Sequence, residues 1–273
     1  MLTMVEARTI QGDLLSLPLS DQASSFTVDD IDGLDPVKAT LVSSSFARLD
    51  GQQYQSSRRE ARNIKLRLGL DPDYVTESVR DLRARLYTYF MPKSQVSLRF
   101  YMSEGLTVEI VGRVESFETT LFTKEPSVDI SIMCFDPDFY ELTSELMNEN
   151  TTSTTAETLH VYEGNVETGI IFTLNVDRTL TEFTIYHRPP DDSMRTLDFA
   201  GDLLAGDTLV INTIPGSKGA TRTRASTSSS VLYGVSPQAS WIELMPGDNY
   251  IRVYAIGAAI PFTIAYTNKY GGL

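Results

Sequence analysis

The segment Val-Asp-Ile-Ser-Ile-Met-Cys, residues 128–134, alternates along its length, with Val128, Ile130, Ile132 and Cys134 on one side. Period-two alternation is typical of a half-buried β-strand, because successive side chains of a strand point to opposite faces of its sheet. The pattern therefore puts Cys134 on the core face, where we expect an inert buried thiol. It is the only cysteine of the chain, so neither an intrachain disulfide nor a cysteine-rich metal site is expected.

Short segments of the same kind extend through most of the chain on both sides of residues 128–134. Turn residues separate them, as at Asp32-Gly33, Asp50-Gly51 and Gly206-Asp207. Many short strands joined by frequent turns are typical of antiparallel sandwiches or barrels, so the predicted fold class is mainly β. The predicted strands are 38–43, 63–68, 96–101, 107–114, 169–175, 182–187, 208–212, 240–244, 250–255 and 262–266.

One segment has the period of a helix instead. Val75, Val79, Leu82 and Leu86 recur at spacings of four, three and four, which is the apolar stripe of an amphipathic helix at about residues 73–90. Asp71 or Asp73 could cap its first amides, and Pro92 would end it. A single helix lying on a sheet makes the N-terminal part an α+β domain.

The polar, non-periodic run at 148–156 predicts a linker. It separates an N-terminal domain, residues 1–147, from a C-terminal all-β domain, residues 157–273. A second polar stretch at 216–230 is interpreted as a long hairpin or a mobile surface loop within that second domain.

Composition argues against most enzyme classes. The 273 residues carry 36 acidic and 23 basic side chains, a net charge of −13, and only two histidines, His160 and His187. No phosphate-binding loop, dinucleotide fingerprint or zinc-protease motif occurs, so we predict no catalytic, cofactor-binding or metal-binding residues. The acidity disfavours specific DNA binding.

No apolar run is long enough for a membrane span, and the first residues lack a signal peptide, so we expect a soluble protein made in the cytoplasm.

Charge is unevenly distributed along the chain. Residues 48–99 have a net charge of +5, whereas the remainder has −18. Complementary surfaces of this kind suit a subunit that packs against its own copies or an acidic neighbour. We therefore take the candidate interface residues from this basic segment. They are Arg58, Arg59, Arg62 and Arg83. The alternative interpretation is an ordinary solvated surface with exposed ion pairs.

Trp241, the only tryptophan, is a candidate carbohydrate contact. In strand 240–244 it shares a side with Glu243, opposite Ile242 and Leu244, so its ring could stack on a sugar. A position in the core or between sheets is the alternative. The two histidines are interpreted as hydrogen-bonded strand residues.

Several short sequence segments occur along the chain in an order that is typical of a known family. The first domain contains Ile31-Asp32-Gly33-Leu34-Asp35-Pro36, then residues 57–64, 79–87, 90–93 and 111–115, and ends on residues 130–140, which include Cys134-Phe135-Asp136-Pro137. The second contains residues 162–169, 203–209, 244–249 and 266–273. In this order they resemble the distal tail proteins of long-tailed, non-contractile phages (siphophages), and the resemblance covers nearly the whole chain.

The resemblance implies a β-sandwich with one helix followed by a galectin-like, jelly-roll antiparallel β-sandwich. It further implies a structural, non-enzymatic virion protein at the tail tip, forming a ring of six copies. The implied partners are the tail tube protein, the hub and fibre proteins and the tape measure protein, with DNA passing through the ring without specific binding and no membrane contact. The alternative function, from a different class, is a carbohydrate-binding adhesin module that contacts the host surface. An enzyme acting on cell-wall polymers is a third.

Overall fold

The computed structural model describes residues 1–19, 24–46, 50–120 and 123–273. Arg48, one of the basic residues counted above, lies outside the described residues. The chain divides into two compact units. The first comprises Met1–Leu142 with Tyr270–Leu273, and the second comprises Thr143–Lys269. The division differs from the predicted linker, because residues 148–150 continue a strand and Thr151 is buried, with its hydroxyl accepting a hydrogen bond from the amide of Ile260.

Among its described residues, the first unit contains ten strands and one helix. Its elements are β1 (Leu2–Thr9), β2 (Leu14–Pro18), β3 (Phe26–Asp32), β4 (Ala39–Ser44), β5 (Gln53–Arg59), β6 (Arg62–Leu70), α1 (Val79–Phe90), β7 (Gln95–Met102), β8 (Thr107–Thr120), β9 (Ser127–Cys134) and β10 (Phe139–Asn150), whose later residues belong to the second unit. All paired strands in this unit are antiparallel, in the order β2-β1-β7-β8-β9-β6-β3.

The long strand β8 belongs to both halves of this sheet, the half with β7, β1 and β2 and the half with β9, β6 and β3. Its first part, from Thr107 to Arg113, pairs with β7, and its second part, from Arg113 to Thr120, pairs with β9 and contains a bulge between Val114 and Ser116. A bulge adds one unpaired residue and bends the strand. The two halves and α1 thereby share one apolar core, which includes the predicted stripe of β9 with Cys134 fully buried.

The helix is shorter than the sequence indicates. It begins at Val79, where Ser78 and Asp81 form a reciprocal capping box, with Ser78 Oγ 3.3 Å from the Asp81 amide and Asp81 Oδ2 3.0 Å from the Ser78 amide. Asp73 instead accepts from the amide of Val75 in the preceding turn, and Val75 is 92 % exposed. The predicted start at residue 73 was therefore wrong, because the capping box satisfies the first amides later in the chain. The stripe itself is confirmed at Leu82, Leu86 and Phe90, which are all buried.

The second unit is an antiparallel sandwich. Its elements are β11 (Thr158–Tyr162), β12 (Thr168–Gly169), β13 (Ile171–Asn175), β14 (Leu180–Arg188), β15 (Arg195–Leu203), β16 (Thr208–Asn212), β17 (Gly219–Arg224), β18 (Thr227–Ser230), a short 3₁₀ turn (Leu232–Gly234), β19 (Glu243–Leu244), β20 (Gly247–Tyr254) and β21 (Pro261–Tyr270). One sheet has the order β18-β17-β16-β13-β21 and the other β11-β20-β14-β15. Their inward faces form one apolar cluster.

The mainly antiparallel β fold with one helix is thus as predicted. The polar stretch 216–230 contains the hairpin β17–β18, which was one of its two interpretations. The predicted strand 240–244 is reduced to Glu243–Leu244. Apart from the β17–β18 hairpin, the sequence pattern missed seven of the strands in the described residues, among them β5 and β11. Several of these are short or exposed on both faces, so they lack the clear alternation that a half-buried strand shows.

Candidate assembly surface

Strands β4 and β5 form a hairpin apart from the main sheet of the first unit. Ala39 pairs with Arg59 and Ser44 with Gln53, and in the described chain these two strands pair only with each other. Every side chain of β5 is exposed. An isolated two-stranded hairpin is at best marginally stable in water, so a partner surface would stabilise it.

Large apolar side chains on this hairpin face solvent. Leu41 is 68 % exposed and Tyr54 is 60 % exposed, and Val42 and Phe46 are exposed as well. Monomeric soluble proteins expose large apolar patches mainly where a partner binds. The combination of unpaired strand edges and exposed apolar groups makes the β4–β5 hairpin the best candidate for an assembly surface.

Two predicted interface residues lie at the base of the hairpin. Arg58 is exposed, and its Nε lies 3.9 Å from Oε1 of Glu60. Arg59 makes a bidentate ion pair with Asp138, in which Nη2 lies 3.0 Å from Oδ2. Asp138 is buried, so this pair ties the hairpin to the segment that precedes β10. Arg58 is thus available to a partner, whereas Arg59 is a structural anchor. Asp138 could not be identified from the sequence, because no local pattern distinguishes it.

Arg62 is not a surface residue, which corrects its assignment to the interface. Its side chain is 1 % exposed and donates to four carbonyl oxygens, at 2.5 to 2.7 Å: those of Gly33, Asp35, Pro137 and Gly271. The guanidinium also lies over the ring of Phe139, 4.4 Å from its centroid. Burial lowers the pKa of Arg62 from its ordinary value, but the five donors of a guanidinium suit a cage of carbonyls. Arg62 therefore joins three distant segments of the first unit.

Gly33 is required at this cage. Its φ of +89° lies in the left-handed region, and a Cβ there would lie 2.1 Å from the carbonyl oxygen of Asn63. Only glycine avoids both penalties, so the turn can present the carbonyl of Gly33 to Arg62.

Arg83, the fourth predicted interface residue, is half-buried on α1. Its Nη2 donates to the hydroxyl of Tyr87 at 2.7 Å, one turn further along the helix. Tyr87 packs in turn on Phe117, with ring centroids 4.9 Å apart. Arg83 is therefore part of a local stack on the helix, and its position is separate in sequence and in secondary structure from the β4–β5 hairpin.

Trp241 is half-buried and packs against the core cluster of the second unit. Ile242 and Leu244 are fully buried, as the alternation predicted. Lys218 Nζ lies 5.7 Å from the Trp241 ring centroid and 4.0 Å from a carboxylate oxygen of Glu243. A sugar stacking on that ring would have to displace the lysine.

The single cysteine and the two histidines all have pKa values that are shifted by burial. Burial raises the pKa of the Cys134 thiol to about 12. Burial also lowers the pKa of His160 and His187, whose Nε2 atoms bond to the hydroxyl of Tyr266 and to Oδ1 of Asn249. In the described parts of the chain, no group of three histidine, cysteine or acidic side chains could hold a metal ion. No described helix is long and apolar enough to cross a membrane.

Comparison with known proteins gives a consistent result. Residues 163–270 match the family model of the siphovirus-type tail component, C-terminal domain. No curated protein sequence matches significantly. Among solved structures, the crystal structure of the SPP1 Dit (gp 19.1) protein aligns with 97 % of this chain and 98 % of its own, at 17 % identity and a TM-score of 0.67. The phage P2 baseplate in its activated conformation with Ca aligns over both full chains at 11 % identity, but its TM-score is only 0.47.

The SPP1 protein therefore shares the fold of the whole chain, and the family model identifies the larger part of the second unit. Both comparisons agree with the order of passages noted in the sequence. They agree with that resemblance: residues 163–270 are a siphovirus-type tail component C-terminal domain, and the whole chain has the fold of the SPP1 Dit protein.

Proposed function

We propose that this tail-tip protein of the virion forms a closed ring of six copies that connects the tail tube to the hub and receptor-binding apparatus. The single observation that carries the proposal is the β4–β5 hairpin with its exposed Leu41 and Tyr54. A hairpin that the first unit does not cover is suited to pack on a neighbouring copy.

A ring requires a heterologous interface, in which one surface of each copy meets a different surface of the next. The β4–β5 hairpin supplies one such surface, through strand edges that can extend a neighbour's sheet and side chains that can be buried against it. Arg58 adds a positive charge at its base, which can meet the acidic surface that dominates the rest of the chain.

The SPP1 relative is described as a paradigm of the hub adsorption apparatus in phages that infect Gram-positive bacteria. By analogy we assign this chain the tail tube protein, the hub and fibre proteins and the tape measure protein as partners. The lumen of the ring passes DNA without binding it, which the net charge of −13 supports. The function is mechanical and needs no catalytic residue.

The test is native mass spectrometry with negative-stain imaging of the full chain. We expect a ring near six times 30.4 kDa. The double variant Leu41→Ser/Tyr54→Ser should yield monomers, because it removes the apolar surface of the hairpin. Val75→Ser is the control, since Val75 is an apolar residue that is even more exposed but lies outside the hairpin. Rings that form equally well in the hairpin variant would refute the role of this surface.

Carbohydrate binding through Trp241 is the alternative function, and it has less support because Lys218 lies over the ring. A glycan array with the wild type and Trp241→Ala tests it. Binding that is lost in the variant would favour the adhesin function, and the absence of any Trp241-dependent hit would remove it.

A further inference from the structure

The outer face of the sheet β11-β20-β14-β15 carries a regular series of side chains. Strands β14 and β20 are antiparallel neighbours, and each outward-facing residue of β14 from Thr184 to Arg188 lies opposite an outward-facing residue of β20. Two steps along this ladder pair an arginine with a tyrosine: Arg188 lies opposite Tyr250, and Tyr186 lies opposite Arg252. We call these the first and second rungs.

In both rungs the arginine guanidinium stacks on the tyrosine ring. The Arg188 guanidinium lies 4.1 Å from the Tyr250 ring centroid, and that of Arg252 lies 3.9 Å from the Tyr186 centroid. In the first rung, Arg188 also donates to the carboxylate of Glu157 at 2.7 Å. Arg188 donates to Asp192 as well, at 3.1 Å, whereas Arg252 in the second rung donates to the backbone carbonyl of Thr154. The first rung thus combines a tyrosine face, two carboxylates and a guanidinium, which is a favourable set because the ring and the carboxylates all attract the cation.

The third rung has the tyrosine and the carboxylates of the first rung but no cation. Thr184 lies opposite Tyr254, and on the next strand Asp198 lies opposite Thr184. The Thr184 hydroxyl donates to Oδ1 of Asp198 at 2.7 Å, which orients that carboxylate. Glu182 supplies a second exposed carboxylate two residues along β14.

Here the face is enclosed as a cleft of about 480 Å³. One wall is the segment that contains Tyr233, whose side chain is 79 % exposed, and another is formed by the exposed Ile256. No lysine or arginine in the described parts of the chain lines this cleft. Arg178, which packs beside Gly257, already donates to the carbonyl of Ala258.

We propose that the cleft between Tyr233, Tyr254, Glu182 and Asp198 binds an arginine side chain presented by a partner protein, which completes the third rung. The planar guanidinium would stack on a tyrosine ring and donate to the two carboxylates, as Arg188 does in the first rung. Charge complementarity supports this occupant, because two carboxylates face a cleft that holds no positive charge. The proposal goes beyond ring formation and does not depend on it.

The test uses the full-length protein and saturation-transfer NMR with N-acetyl-arginine methylamide as the probe. The citrulline analogue is the matched ligand control, since it has the same shape without the charge. We expect saturable binding of the arginine probe alone, with a dissociation constant in the millimolar range that rises with added salt.

The variant Glu182→Gln/Asp198→Asn should weaken this binding by about tenfold or more, because both attractive charges are lost. Asp248→Asn is the control variant, as Asp248 is an exposed carboxylate on the same sheet face outside the cleft. Equal binding of the citrulline analogue, or an unchanged constant in the double variant, would overturn the proposal. Saturable binding of methyl galactoside or methyl glucoside without binding of the arginine probe would also overturn it, and would identify a sugar site.

Discussion

The guanidinium of Arg62 donates to the carbonyl oxygen of Gly271 at 2.5 Å, although 209 residues separate them in the chain. The same side chain binds the carbonyls of Gly33 and Asp35, and the amide of Leu273 donates to the carbonyl of Leu34. The first unit is therefore completed by residues that follow the entire second unit.

Replacing Arg62 should destabilise the first unit strongly. In Arg62→Ala, four carbonyl oxygens lose their donor and a buried volume opens over Phe139, so we expect a loss of about 3–5 kcal/mol in the free energy of unfolding. Urea denaturation measures this loss. Arg58→Ala changes an exposed arginine on the preceding strand of the chain, and it should change the free energy of unfolding by less than about 0.5 kcal/mol. Similar losses in both variants would contradict the cage.

Gly33→Ala should cost more than Gly51→Ala. Both glycines have φ near +90°, so both variants carry the left-handed penalty of about 1–2 kcal/mol. Only at Gly33 does the new Cβ meet a backbone atom, whereas nothing lies within 4 Å of the Cβ position at Gly51. Melting temperatures of the two variants give the cost of the close contact. Equal temperatures would show that the turn at Gly33 relaxes freely.

The ion pair between Asp207 and Arg224 should make stability depend on pH in the acid range. The side chains are joined by two hydrogen bonds of 2.7 and 2.6 Å, and Arg224 lowers the pKa of the buried Asp207 from 3.8 to about 2. A lowered pKa contributes stability above the ordinary value, and this contribution is lost as the pH falls from about 4 towards 2.

Asp207→Asn should therefore cost about 1–3 kcal/mol at neutral pH, and the difference from the wild type should shrink below pH 4. Denaturation midpoints measured between neutral pH and pH 2 test this prediction. A difference that stays constant over the whole range would show that Asp207 keeps an ordinary pKa.

Ser78→Ala should lower stability by about 1 kcal/mol, because the amide of Asp81 loses its side-chain acceptor and the capping box is broken. Circular dichroism during thermal unfolding measures the change. Asp73→Ala should have a smaller effect, since Asp73 caps only the turn ahead of the helix. The reverse order would place the start of the helix where the sequence pattern had it.

The thiol of Cys134 should not react with a disulfide reagent in the native protein. It is fully buried, and its pKa is raised to about 12, so almost no thiolate exists at neutral pH. Absorbance after addition of the reagent should rise only when denaturant is present. Rapid reaction of the native protein would indicate that the core opens at β9.

Strands and helices could be predicted from the sequence where their apolar residues form a clear periodic pattern. The strand around Ile130 and the buried stripe of Leu82 and Leu86 could be predicted because alternation and helical spacing each reflect a single buried face. The helix start could not, since Asp73 and Ser78 are both capable caps and only the capping box with Asp81 decides between them. The hairpin strand β5 has no buried face, so no periodicity marked it.

The residue types, the uneven charge, the mainly β class and the order of passages that resembles the siphophage distal tail proteins all follow from the amino-acid sequence alone. It could not decide what each arginine does. Arg58 and Arg62 are only four positions apart, yet one faces solvent and the other is enclosed by carbonyls from residues 33–35, 137 and 271. Burial depends on which distant segments fold over a side chain, and that information exists only once the tertiary structure has formed.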